Sequence, residues 1–441
     1  MNKWFAVILF FLCLSYSSFS QDKFVIQNKK QSDKIRFKLI NNLIVIPVNI
    51  NGVTLSFLLD TGVSKPIIFN FLNVSDTLQI KNAETIYLKG LGGGESVEAL
   101  KSKNNVFKIG DAIKLNQDLY AVYNSNLNFA PRLGIPVHGI IGFDLFKDLI
   151  VEVNYSAGYL KLMSQEKFKY KDCKKCERLN LEFYNGKPYI NAKVKINHNE
   201  IPVKLLIDSG GSDALWLFED DSLNIKPGDK FFNDFLGHGL NGSVYGKRSK
   251  VQSIAFKNFV LKNANVAYPN IKSIFFAKQI KDRNGSIAGN ILKRFNIIFD
   301  YRRALITLTK NNKFNEKFSY NKSGIEPAHD GMRILRELKR SNIKENSSNQ
   351  SSNNIIILEN QYKILLKPAY AVVELREGSP AEQAGLKIGD ILLSINGKQT
   401  YQFTLHQVIQ MFYDDDGKKI RLRIDREGDA LSFNFKLQKL F

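Results

Sequence analysis

FLLDTGVSKPIIF, residues Phe57–Phe69, sets an aspartate at the end of an apolar run and follows it with Thr61, Gly62 and Ser64. The pattern returns at Leu205–Leu217, LLIDSGGSDALWL, where Asp208 stands 148 positions after Asp60 and is followed by Ser209, Gly210 and Ser212. A single Asp-Ser/Thr-Gly is weak, because one match arises by chance in roughly one chain in five of this size. One carboxylate at the end of a buried strand could be structural. Two in matching settings point to a pair brought together across a two-fold axis.

The repeat continues downstream. Gly90-Leu91-Gly92 is matched by Gly237-His238-Gly239, and Ile140-Ile141-Gly142 by Ile287-Ala288-Gly289, both at an offset of 147. LFKDLIVEVNY (145–155) is matched by ILKRFNIIFDY (291–301) at 146. Collinear matches with so small a drift mark an internal duplication. Each copy opens on a hairpin. LIVIPVNING and VTLSFLLD turn at Asn51-Gly52, a strong turn dipeptide, and YINAKVKINHNE and IPVKLLID turn near His198–Glu200. Short Val/Ile/Phe/Leu runs outnumber helix-period patterns, so the chain reads as mainly β.

Paired carboxylates suit the hydrolysis of a peptide bond. Two of them about 3 Å apart cannot both ionise, so they share a proton. The ionised member takes a proton from water, and the protonated member donates to the scissile carbonyl. No cofactor or metal is called for. Sequence does not assign the two roles, because such pKa values belong to the pair. Thr61 and Ser209 carry hydroxyls able to reach the opposite lobe's backbone. Gly62 and Gly210 permit a tight turn and offer amides to the carboxylates. Ser64 and Ser212 are expected on the outer carboxylate oxygens.

The two halves resemble the pepsin and retropepsin superfamily of aspartic proteases. Its lobes each carry hydrophobic-hydrophobic-Asp-Thr/Ser-Gly-x-Ser and, later, hydrophobic-hydrophobic-Gly. Residues 43–162 and 181–308 fit, as a fused pair of retropepsin-sized lobes with pseudo-two-fold symmetry. The resemblance implies that Asp60 and Asp208 are the catalytic pair and that Thr61 and Ser209 form the inter-lobe grip. It places Gly142 and Gly289 behind the two aspartate loops. Gly90, Leu91, Gly92 and Gly93, in KGLGGGESV, resemble a substrate-binding flap, and Gly237 and Gly239 sit at the equivalent place in lobe two. Val63 and Gly211 stand where the family often has alanine, and the valine is expected to crowd its loop. No flap tyrosine is placed as in pepsin; Tyr87 and Tyr245 lie near the flaps without matching that pattern.

The remaining chain divides around these lobes. Residues 1–20, with Lys3, the apolar run Trp4–Leu14 and small residues Ser17–Ser20, read as a cleaved signal peptide, which implies export to a periplasmic or extracellular location. Residues 21–162 form lobe one, 163–180 a charged connector, 181–309 lobe two and 310–324 a polar linker. Residues 325–441 form a third unit. There GSPAEQAGLKIGDILLSINGK (378–398) resembles the PDZ signature of bacterial exported proteases, and the family binds peptide ends by strand addition. A helix over Leu405–Phe412 is expected beside that site, another over Gly331–Arg340, and a polar loop at 341–354.

Cys173 and Cys176, in C-K-K-C, read as a local disulfide or two free thiols, since no second cysteine pair completes a zinc site. The formal charge of +21 is spread among Asn, Ser and Phe without a dense basic block or nucleic-acid motif. No later segment has a membrane span's length. His138, His238 and His329 assemble no triad. The reading is an exported aspartic endopeptidase, monomeric, acting on protein or peptide substrates, with the third unit recruiting them or another peptide ligand. The alternative is an inactive protein that holds peptides in the lobe cleft and the PDZ-like unit.

Overall fold

A computed structural model provides the structure of the protein and describes residues 22–69, 78, 80, 83–123, 128–338 and 362–441. The expected signal peptide and the expected loop at 341–354 lie outside the described residues. The fold is mainly β, and it forms two compact units. The first runs to Asn128 and resumes over Val137–Phe318; the second combines Phe129–Pro136 with Ser319–Phe441.

The first unit is built twice from one plan. In lobe one, Leu43–Ile50 and Val53–Leu59 form a hairpin with Ile50 opposite Val53. Asn51 and Gly52, with φ of 49° and 94°, supply the positive-φ turn that suits twisted strands. Gly139–Ile141 then lies parallel to the second strand, Ile141 facing Leu59, and holds the aspartate loop from behind. Lobe two repeats this with Lys187–Ile196, Asn199–Asp208 and Arg283–Ala288, the last again parallel to its aspartate strand. Its turn falls at Asn197-His198 (φ 47° and 70°), one residue before the expected place.

A third sheet joins the lobes. At its centre Leu149–Asn154 pairs antiparallel with Phe295–Asp300, Val151 facing Phe299. Outward on one side come Tyr159–Ser164 and Ser32–Arg36, and on the other Leu305–Lys310 and Cys176–Asn180. The residues ahead of the first lobe hairpin and the stretch read as a charged connector thus each contribute an edge strand. Phe146 packs edge-on against Phe299 at 5.0 Å between centroids and stacks on Tyr301 at 5.3 Å, so the lobes share one hydrophobic core. Cys173 and Cys176 are joined as a disulfide. The stretch read as a linker folds onto lobe two as far as Phe318. There the buried guanidinium of Arg294 donates to the carbonyls of Lys313, Phe314 and Glu316.

The second unit has a sheet in the order Ile325–Leu338, Tyr362–Leu375, Ile391–Ile395, Lys419–Arg426, Asp429–Lys436. The helix expected over Gly331–Arg340 is corrected: Ile325–Leu338 is one strand, held by pairing to Tyr362–Leu375. Its local sequence has helix-like spacing, but cross-strand pairing overrides propensity. Leu405–Met411 is helical, with Thr404 and Gln407 closing a capping box. Among the described residues no helix is long and apolar enough to cross a membrane.

Candidate active site

The lobe plan carries Asp60 and Asp208 to the same point. Each ends the second strand of its hairpin, and the parallel strand behind fixes it: the Asp60 amide donates to the Ile141 carbonyl at 2.8 Å, and Asp208 lies in register with Ala288. The convergence is tight. A Cβ built on Gly62 would stand 3.1 Å from Asp60 Oδ1 and 3.4 Å from Asp208 Oδ1. One built on Gly210 would fall 2.3 Å from Asp60 Cγ and Oδ2, so only glycine fits there. The amides of both glycines face inward, Gly62 donating to Asp60 Oδ1 at 2.7 Å and Gly210 to Asp208 Oδ1 at 3.1 Å.

Beneath the pair, Thr61 and Ser209 exchange four buried hydrogen bonds. The Thr61 hydroxyl donates to the Ile207 carbonyl at 2.6 Å and accepts from the Ser209 amide at 3.0 Å. The Ser209 hydroxyl donates to the Leu59 carbonyl at 2.7 Å and accepts from the Thr61 amide at 3.0 Å. Each hydroxyl thereby ties its own loop to the opposite strand, which holds the carboxylates in one relative geometry.

Gly142 and Gly289 close the loops from behind. A Cβ on Gly142 would sit 1.9 Å from the Asp60 carbonyl, and one on Gly289 would sit 2.3 Å from that of Asn42. Val63 does not crowd its loop. Its carbonyl accepts from the Phe143 amide at 3.0 Å, and the bare face of Gly142 makes room for its side chain. In lobe two the Gly211 carbonyl accepts instead from the Gly289 amide, at 2.8 Å. Ser64 departs from expectation: its hydroxyl donates to the Asn185 carbonyl at 2.8 Å rather than to a carboxylate. Ser212 is exposed, and its carbonyl accepts from the Asn42 side chain at 2.8 Å.

Two hairpins, one from each lobe, meet tip to tip. Leu88 and Val97 face each other at the end of the lobe-one hairpin, so Lys89–Ser96 form its tip. In lobe two Gly239 faces Gly242, leaving Leu240 and Asn241 at the turn. Asn241 is the latch. Its amide donates to the Leu91 carbonyl at 2.9 Å, and its carbonyl accepts from the Gly94 amide at 2.9 Å. Its side chain bonds the Gly90 amide and the Glu95 carbonyl. Gly92 donates to the Ser273 carbonyl at 3.1 Å and holds φ 112° beside the Asn241 backbone, where a side chain would collide. A Cβ on Gly239 would meet the Leu91 carbonyl at 2.1 Å, whereas Gly93 and Gly237 have open space around them. Tyr87 and Tyr245 are exposed on the hairpins.

Two cations beside the dyad were missed in the sequence. Tyr189 faces Leu206 in the lobe-two hairpin, and carrying that register on sets Lys187 against Asp208. Arg283 is 9% exposed, opens the parallel strand behind Asp208, and donates from Nε to the Gly285 carbonyl at 3.2 Å. Both charges act on the pair. Loss of water, then the charge of Asp208, pushes the Asp60 carboxyl up to about 7, against the pull of the Gly62 amide and Lys187. Burial raises Asp208 as well, opposed first by Arg283 and then by Lys187. Burial in turn pulls the Lys187 ammonium below the usual lysine range. The available signal was the Asn185-Gly186 turn, whose hairpin spacing sets the register of the next strand.

His138 is a structural acceptor. It takes the Ser56 amide on Nδ1 at 3.3 Å, and burial favours its neutral form. His238 lies within the lobe-two flap, and His329 lies edge-on to Tyr370 in the second unit.

Compared with known families, residues 46–145 match the aspartyl protease model and residues 372–426 match the PDZ domain model. The first match ends just beyond Gly142 and contains the Asp60 loop and the lobe-one flap. The chain thus carries an aspartyl protease domain in its first lobe and a PDZ domain near its C-terminus.

Proposed function

We propose, from the premise of an aspartyl protease domain joined to a PDZ domain, that this chain is an exported aspartic endopeptidase using an Asp60/Asp208 dyad. The observation that carries the reading is the reciprocal Thr61/Ser209 bonding beneath two converging carboxylates. Such a grip spends four buried bonds on fixing the relative position of two acids, which a simple binding cleft does not require. The elevated Asp60 carboxyl fits a pair that keeps one proton near neutral pH.

Arg283 and Lys187 oppose the rise at Asp208, and the cycle is written with Asp208 as the base and Asp60 as the acid. Water between them loses a proton to Asp208 as its oxygen attacks the scissile carbonyl. Asp60 gives its proton to the carbonyl oxygen, leaving a neutral tetrahedral diol. Collapse returns a diol proton to Asp60, moves the Asp208 proton to the leaving nitrogen and breaks the C–N bond. The flap hairpins supply backbone groups for an extended substrate. The PDZ domain recruits protein substrates or another peptide partner, and export follows from the leader-like residues 1–20.

The test is cleavage of an unfolded polypeptide by the mature chain at mildly acidic pH. Asp60→Asn and Asp208→Asn should each lower kcat/KM by ~100-fold or more with unchanged thermal unfolding. Normal cutting by both variants would remove the dyad mechanism.

A further inference from the structure

The PDZ-containing unit has an edge with a defined occupant. Among the described residues Ile325–Leu338 ends the sheet, paired on one side to Tyr362–Leu375, and the helix Leu405–Met411 packs against it. An edge strand beside a helix is where an extended peptide adds to a PDZ sheet: the strand supplies backbone bonds, and the helix helps form the side-chain pockets.

Phe129–Pro136 belongs to this same compact unit, although it lies within the stretch matched to the aspartyl protease family. Its helical turn, Ala130–Leu133, packs against the edge strand, and Leu133 is buried. Pro131 suits the first turn, where a missing amide costs little. Gly134 closes the turn at φ 68°, donating to the Ala130 carbonyl at 2.8 Å. It also abuts the helix start so closely that a Cβ there would meet Leu405 Cβ at 2.7 Å. Arg132 Nη2 donates to Glu374 Oε1 at 3.0 Å, adding an ion pair beside the turn. The segment therefore touches both walls of the groove, and Pro327 and Ala328 of the edge strand are buried.

We propose that Phe129–Pro136 is the internal occupant of the PDZ peptide groove and that an external peptide enters only when this segment leaves. An occupant on the same chain competes at high effective concentration. The apparent affinity for a free peptide falls by the fraction of molecules whose groove is open. A helical turn uses its own amides internally, so an extended peptide that pairs along the strand edge is a suitable competitor.

The probe is a fluorescent peptide of the segment's own sequence, FAPRLGIP. Binding is measured by polarisation on the full chain and on a variant whose residues 129–136 are replaced by a Gly/Ser octapeptide. The replacement should bind at least about tenfold more tightly. Equal affinity, or binding by neither protein, overturns the proposal. A second variant tests it should the replacement fail to fold: Leu133→Asp, which puts a charge on the buried anchor of the segment and leaves the rest of the unit unchanged. It should likewise bind the probe at least about tenfold more tightly than the full chain. Unchanged affinity in a folded Leu133→Asp protein overturns the proposal.

Discussion

Leu43 and Lys187 occupy the same place in the two lobes. Val45 faces Leu58 in one hairpin and Tyr189 faces Leu206 in the other, so Leu43 and Lys187 come against Asp60 and Asp208. At that place lobe one has a buried leucine and lobe two a lysine, and lobe two adds Arg283, a second cation that acts on Asp208. A duplicated backbone brings like charges together, and the divergence behind it sets cations on the Asp208 side of the pair.

The glycines offer the harshest way to break this comparison. Gly62 and Gly210 are sequence equivalents with unequal room. Gly210→Ala should lower kcat/KM by ~100-fold or more, because its methyl overlaps the Asp60 carboxylate and displaces a reacting group. Gly62→Ala meets carboxylate oxygens at 3.1 and 3.4 Å and should lose much less. Equal losses in a steady-state cleavage assay would show that the crowding seen at Gly210 does not limit the site.

The grip should behave symmetrically where the glycines do not. Thr61→Val leaves the Ile207 carbonyl and Ser209 amide without their partner; Ser209→Ala does the same to the Leu59 carbonyl and Thr61 amide. Each should cost about 2–4 kcal/mol in denaturant unfolding, and the double variant less than the sum, because the hydroxyls act as one network. Additive losses would mean that the two lobes are tied independently.

Much of this site was legible because its motifs recur. Asp60 and Asp208, the glycines behind them and both flap turns sit in local patterns that the duplication repeats. Reading failed where a neighbour is distant in the chain. Ser64 was expected on an outer carboxylate oxygen, yet a carbonyl 121 positions away takes its hydroxyl. Gly331–Arg340 was read as a helix because its partner strand begins only at Tyr362, beyond the reach of local periodicity. Cys176–Asn180 was read as part of a charged connector, and Ser32–Arg36 carried no strand pattern of its own. As edge strands they need few apolar residues, and their place in the inter-lobe sheet comes from pairing alone. Lys187 was hidden by its type, since a lone lysine after a turn ordinarily faces solvent.

The pH dependence of kcat/KM in wild type and Lys187→Met tests the asymmetric shared-proton site most directly. Wild type should give a bell whose alkaline limb falls as pH rises through about 7, where the retained proton is lost. Removing the cation disfavours the ionised carboxylates, so both limbs should move to higher pH in Lys187→Met. Limbs that stay in place, or that move to lower pH, would contradict the account.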